Sequence, residues 1–312
     1  MGISLFDTHC DTAYEMYKRK AGLKSNGLHI SLEYAKKYDS YCQATAVWSD
    51  NRRSDNEAYS DFFNIQAYLK KECQADGTAQ MCRTYEDIES AHESGKAAFI
   101  LTVEDARILA CDISRLDALA ECGVKILTFQ WQGESCIGGG FDTELGLTPF
   151  GKETAKRCAE LGITADISHA CERTARDIIE IMAVYNKPVI ATHSNSYKVC
   201  HHKRNMSDAL CALMVGSGGI VGISLAPQHL SVDSRASSDT VLAHIEHYAE
   251  RFGIGCVSLG CDFDGIETTP SDIRNLAELE NLAEKMLSHN YSEQQVNCVF
   301  FENAKRFLKN NL

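Results

Sequence analysis

A chain of 312 residues with 44% apolar side chains can bury a substantial core as one large domain. Its 31 Lys and Arg against 43 Asp and Glu give a net charge of −12. That balance argues against nucleic acid as a partner, and no basic stripe interleaved with aromatics offsets it. No apolar run approaches the roughly 18 residues of a membrane span, and the opening MGISLFDTHCD lacks the basic segment and long apolar stretch of a secretory signal, so no membrane contact and a cytoplasmic location are expected. In that setting the fourteen cysteines, none of them in a Cys-x-x-Cys pair, read as small packing groups rather than a disulfide framework.

The first apolar run, SLFDTH (4–9), leads into Cys10 and Asp11. On a strand, His9 and Asp11 project to one face and Cys10 to the other. The pair can grip one metal ion, or it can be a polar strand end facing water. Seven similar runs follow: SYCQATAVW (40–48), AAFILTVE (97–104), VKILTFQW (124–131), GITADISH (162–169), KPVIATHS (187–194), GGIVGISLA (218–226) and GCVSLGCDFDG (255–265). Each is short and β-branched or otherwise apolar, with Gly, Pro or a charged residue near its start, as buried strands are.

Helical patterns separate them. DISRLDALAECG (112–123) has leucines at helical spacing and a Gly stop; TPFGKETAKRCAELG (148–162) opens after Thr-Pro and closes at Gly. CERTARDIIEIMAVYN (171–186), NMSDALCALMVGSGG (205–219) and SDTVLAHIEHYAERFG (238–253) repeat the pattern, and the tail reads as two or more closing helices. The alternation predicts an α/β fold, a TIM-type (β/α)₈ barrel. The rival, a doubly wound sheet, finds no GxGxxG or phosphate loop. With no Pro-, Ser- or Gly-rich linker, residues 1–312 are expected to form one domain.

Barrel enzymes place their chemistry at the C-terminal ends of the strands. Those ends carry His9 and Asp11, Glu104, His169, His193 and Asp262. Any one alone could be a cap or a hydrogen-bonding group; six such residues at the ends of five strands make coincidence a poor reading. Imidazoles and carboxylates suit Zn²⁺. Five ligands exceed one open catalytic zinc and match two ions sharing a carboxylate. His9 and Asp11 then hold one ion, His169 and His193 the other, and Glu104 bridges. Water between two cations loses its proton near neutral pH, leaving Asp262 to move protons.

With these blocks in this order, the chain resembles the membrane dipeptidase (renal dipeptidase) family of zinc-dependent peptidases, as a bacterial-type member, over nearly its whole length. The family's first metal motif appears as DTHCD, its bridging glutamate in VEDA, its central block as GLTPFGKETAKRCAELGITADISHACERT, the next as KPVIATHSNSYKVCHHKRN, and its acid–base aspartate in GCDFDG. The resemblance implies that Arg204 binds the dipeptide carboxylate, that Asp262 shuttles protons and that Glu104 bridges the zinc pair. It implies hydrolysis of dipeptides, including those with a C-terminal D-residue, and leaves a homodimer open as the assembly. There are departures. Trp131 stands where the family has a histidine that steadies the scissile carbonyl, so it is expected to shape the substrate pocket. Glu104 is followed by Asp-Ala rather than two glycines, and the stretch after DFDG lacks the family's Gly-Leu-Asp.

Two other readings stay open. One is a related binuclear-metal amidohydrolase acting on another small amide; many of these use a strand-four lysine carbamate, and here Lys125 lies at the wrong end of that strand. The other is a non-catalytic barrel that binds small peptides or metal. His201 and His202 read as loop residues near the pocket, His229 and Asp233 as surface, and GESCIGGGFD (133–142) as a flexible rim loop.

Overall fold

The computed structural model describes residues 2–75 and 77–311. Its strands are β1 (Leu5–Cys10), β2 (Tyr41–Trp48), β3 (Ala79–Cys82), β4 (Ala97–Glu104), β5 (Ile126–Thr128), β6 (Thr164–Asp166), β7 (Ile190–Ala191), β8 (Ile220–Ile223) and β9 (Val257–Leu259), all parallel. Eight of them close a ring, β1-β2-β4-β5-β6-β7-β8-β9, with β9 returning to β1. This is the expected TIM barrel.

The ninth strand, β3, lies outside the ring and was not anticipated. β4 pairs along its length with β2, from Cys42↔Ala98 to Trp48↔Glu104. Its other edge is shared: β3 takes Ala97 to Ile100, and β5 takes Thr102 to Glu104. The sequence of β3, AQMC, contains no β-branched residue, so propensity gives no hint of it.

The quoted helical segments fold as helices. Thr148 caps Pro149–Leu161 by accepting from the Gly151 N–H at 3.0 Å, and Gly162 ends it in the left-handed region. Glu172–Val184, Asp208–Gly216 and Ser238–Phe252 follow the strands as expected. The tail forms Glu280–Ser288, Glu293–Asn297, a π-helical turn over Cys298–Glu302, and Asn303–Lys309. This tail plugs the N-terminal end of the barrel: Phe301, Ala304, Phe307 and Leu308 pack in one apolar cluster with Phe6, Ile100, Ile126, Ile190 and Ile220. The Asn303 amide donates to the carbonyls of Ile254 and Val257 at 2.8 and 2.7 Å, fixing the plug to the last strand. All fourteen cysteines are free, as expected of packing groups, and Cys111 is exposed. With its base filled, the barrel is open for chemistry only at the C-terminal mouth.

Candidate active site

His9 and Asp11 converge, though not by simple strand alternation. The pairing of β1 with β2 slips between Asp7↔Gln43 and Cys10↔Thr45, and Asp11 already lies beyond the strand, ahead of the helix Thr12–Arg19. The slip and the helix entry together bring Asp11 Oδ2 to 3.5 Å from His9 Nε2. The β9 loop is tied to this strand end, with Asp262 N–H donating to the His9 carbonyl at 3.1 Å and Asp11 N–H to the Phe263 carbonyl at 2.9 Å. A Cβ on Gly265 would lie 2.1 Å from Asp11 Oδ2, so only glycine lets the β9 loop pass so close to the carboxylate.

Glu104, the last residue of β4, stands between two groups of imidazoles. Its Oε2 faces His9 Nε2 at 3.8 Å, and its Oε1 faces His169 Nε2 at 3.0 Å and His193 Nε2 at 3.4 Å. The Nε2 atoms of His169 and His193 are 2.9 Å apart, and the His9 ring stacks on His193 at 3.7 Å.

The proton positions on these rings follow from their other nitrogens. His169 Nδ1 is 3.1 Å from the Trp131 carbonyl, which can only accept, so Nδ1 carries the proton. His193 Nδ1 is 2.8 Å from Thr192 Oγ1, whose own proton goes to Asp166 Oδ2 at 2.6 Å, so His193 Nδ1 also donates. Asp166 is itself fixed by Thr128 Oγ1 at 2.6 Å and by the Ser168 and Thr192 N–H groups at 2.9 and 3.0 Å. Both Nε2 lone pairs therefore face Glu104 Oε1 and each other, and acceptors that converge in this way are the donor arrangement of a metal site.

Electrostatics point the same way. Burial, with Arg204 and His9 adding to it, pulls His169 and His193 well below the usual imidazole range, which leaves both rings neutral. Burial also opposes charge on His9, yet Glu104, Asp11 and Asp262 outweigh it and lift His9 to about 10. Burial pushes Glu104 well above the carboxylate range, with Asp11 adding to the effect and His9 opposing it, and raises Asp262 to about 7. His9 Nε2 and Asp11 Oδ1 are buried without a hydrogen-bond partner. Ligand atoms of His9, Glu104 and His193 lie within 4.8 Å of one another, as do those of His9, Asp11 and Asp262. Bound cations would satisfy both the crowded carboxylates and the unpartnered atoms, so this donor set fits metal.

The backbone is strained around this centre. His169 (φ 66°), Asp262 (φ 61°), Asp105 (φ 76°) and Asp264 (φ 67°) all hold left-handed conformations at the barrel mouth.

A cavity of about 490 Å³ opens above the metal-type residues, walled by Trp48, Trp131, Phe141, Arg204 and His229. Trp131 packs edge-to-face on Trp48 at 5.3 Å and also supplies the carbonyl that orients His169. It is thus a wall and, through its backbone, a positioning group. Arg204 is buried, with Nη1 donating to Ser194 Oγ at 3.1 Å and Nη2 to the His193 carbonyl at 2.9 Å. Burial pulls its pKa down to about 10, still a cation at neutral pH.

Two expectations need correction. His229 is not plain surface: it lines the cavity and is largely enclosed, whereas Asp233 is exposed. The segment 133–142 is not free at the rim. Isolated bridges Glu134↔Gly139 and Gly140↔Ala170 pin it, and a Cβ on Gly140 would lie 2.7 Å from the Gln132 backbone, so that glycine serves close packing rather than mobility. His201 and His202 are loop residues, as expected, and stand apart from the metal-type cluster, His201 against Tyr197 and His202 accepting from the Arg204 N–H at 3.2 Å. The sequence reading missed Asp166 and Thr192, although a lone Asp inside the apolar run GITADISH was a visible signal.

Comparison with known proteins agrees with this geometry. The profile of the membrane dipeptidase family (peptidase family M19) matches residues 2–311. A metallopeptidase from Rhodobacter sphaeroides, solved with a phosphinate mimic of the dipeptide L-Ala-D-Ala, superposes with a TM-score of 0.92 at 25% identity, covering 100% of both chains. Dipeptidase AC, a metallopeptidase of family M19, gives a TM-score of 0.92 at 27% identity over 100% of this chain and 99% of its own. A Klebsiella pneumoniae protein from the pqqA 5′ region is 29% identical over 246 residues, covering 75% of this chain and 89% of the relative. Among the described residues no helix is long and apolar enough to cross a membrane. The match across residues 2–311, on a barrel whose mouth gathers a cluster of metal-type residues, establishes that the chain belongs to the membrane dipeptidase family, peptidase family M19, and is a metal-dependent hydrolase of the dipeptidase type.

Proposed function

We propose that the chain, acting as one catalytic unit, hydrolyses dipeptides with two zinc ions, one held by His9 and Asp11, the other by His169 and His193, and both by Glu104. The observation that carries this is the division of Glu104, one oxygen toward His9 and the other toward His169 and His193. Such a metal pair, when bound, would supply Lewis acidity for the peptide carbonyl and would lower the pKa of water toward neutral pH.

The protein's own groups do the rest. Arg204, locked by Ser194 and the His193 carbonyl, keeps N–H groups for the substrate's C-terminal carboxylate, where a planar fork suits two oxygens. That anchor places the scissile carbonyl over Glu104 and its histidines. Trp131 and Trp48 form the wall and exclude water. Asp262, oriented by Ser224 Oγ at 3.4 Å, takes the proton of the attacking water and delivers it to the departing amine. The dipeptide mimic bound by the Rhodobacter relative supports including substrates with a C-terminal D-residue. The reading extends to a cytoplasmic protein working on free dipeptides, with a homodimer as the assembly to check by light scattering.

The test is a panel of dipeptides, free and C-terminally amidated, with zinc supplied. Cleavage of the free forms and poor cleavage of the amides is expected. Tight peptide binding without turnover would instead favour a non-catalytic binder, and equal cleavage of the amides would remove Arg204 from its role.

A further inference from the structure

His229 is the one imidazole on the cavity wall, among the described residues, to which neither the metal centre nor the proton shuttle assigns a task. It sits in the short helix Pro227–Leu230 after β8 and lines the cavity together with Arg204 and Asp262. Its ring nitrogens have no hydrogen-bond partner within the described protein; its contacts are a tilted ring contact with His202 at 4.7 Å and backbone bonds.

Those contacts couple it to Arg204. Asn205, the next residue after Arg204, donates from its amide to the His229 carbonyl at 2.8 Å and to the Cys200 carbonyl at 2.9 Å. His202 accepts from the Arg204 N–H at 3.2 Å while its ring rests on that of His229. A buried histidine, His244, bridges the same two loops, accepting from Ser196 N–H at 3.0 Å and reaching the Leu230 carbonyl at 3.1 Å. The β7 and β8 loops are thus clamped at three points around two side chains that face one cavity. Burial and the neighbouring Arg204 keep the His229 ring neutral, so it can offer an N–H without adding charge.

Arg204 spends one Nη1 and one Nη2 proton on Ser194 and on the His193 carbonyl, which leaves its unpartnered Nε–H and one proton on each Nη for a carboxylate. Each carboxylate oxygen still has a lone pair open to a further donor from the same cavity wall. We propose that His229 is a second carboxylate-binding residue, donating from its imidazole to the C-terminal carboxylate that Arg204 holds and so selecting short substrates with a free C-terminus. This rests on the dipeptidase reading and adds to it a specificity residue.

The test compares zinc-loaded parent, His229→Phe, His229→Asn and His229→Gln on one dipeptide and its C-terminal amide. Loss of a hydrogen bond to a charged group should raise KM for the free dipeptide by about tenfold or more in His229→Phe, with kcat little changed. KM for the amide should move little, and Asn or Gln, which keep an N–H donor, should recover part of the loss. An unchanged KM in His229→Phe, an equal rise for the amide, or no recovery by either amide variant would overturn the assignment. Equilibrium binding of the two ligands to the same proteins reads the same contact independently of turnover. A parent that binds but cleaves no dipeptide would count against the dipeptidase reading and leave the binding comparison decisive for His229.

Discussion

At the base of the barrel, Phe6, Ile100, Ile126, Ile190 and Ile220 meet Phe301, Phe307 and Leu308 in dry packing, and the Asn303 amide finds two carbonyls. At the mouth, His9 Nε2, Asp11 Oδ1, Trp48 Nε1 and Arg204 Nε are buried without partners, and His169 and Asp262 sit in strained backbone. The two ends share a sheet but divide the work. The base contributes stability through buried area; the mouth holds unsatisfied donors and crowded carboxylates ready for ligands to complete. Substitutions at the two ends should therefore separate stability from activity.

The largest effect should come from removing metal. Dialysis against a chelator should abolish dipeptide turnover while the far-ultraviolet circular dichroism of the barrel persists, and added zinc should restore activity. Collapse of the fold on chelation would mean that the mouth, too, is structural.

Next is Phe307→Ala at the base. Deleting a buried aromatic typically costs about 3–5 kcal/mol. Denaturant unfolding should show that loss, and the KM of the folded enzyme should stay the same. Asp262→Asn should do the reverse: kcat falls by roughly 10² or more, about 2.7 kcal/mol in barrier, with bound metal and unfolding midpoint little changed. A fully active Asp262→Asn would remove the proton shuttle from that residue.

A smaller effect belongs to Thr192→Val, which keeps shape but breaks the link from Asp166 to His193 Nδ1. Loss of such an outer partner usually weakens metal binding by about 10- to 100-fold. Competition with a chromophoric chelator measures it, and an unchanged affinity would make the link merely structural.

The same division explains what the sequence made legible. Eight strands, the helix stops at Gly123 and Gly162, and the six residues suited to metal or proton chemistry show in the linear pattern because strand and helix periods and strand-end chemistry are local. The convergence of His9 and Asp11 was legible as well, but its cause was not: a slipped register depends on how β1 meets β2. β3 was invisible because its stability comes from β4's free edge rather than from its own residues. His229 looked like surface because enclosure by the β7 loop, through His202 and Asn205, is a tertiary fact. The glycines of 133–142 suggested motion, while in three dimensions Gly140 permits contact with the Gln132 backbone.

The division of Glu104 between two groups of imidazoles is the central claim, and metal stoichiometry of the parent beside Glu104→Gln tests it most directly. Elemental analysis should give about two zinc equivalents in the parent, as a five-ligand set with one shared carboxylate requires. The variant, which keeps shape but loses the shared charge, should hold fewer ions and lose turnover. One equivalent in the fully active parent, or a Glu104→Gln protein that keeps both ions and full activity, would contradict it.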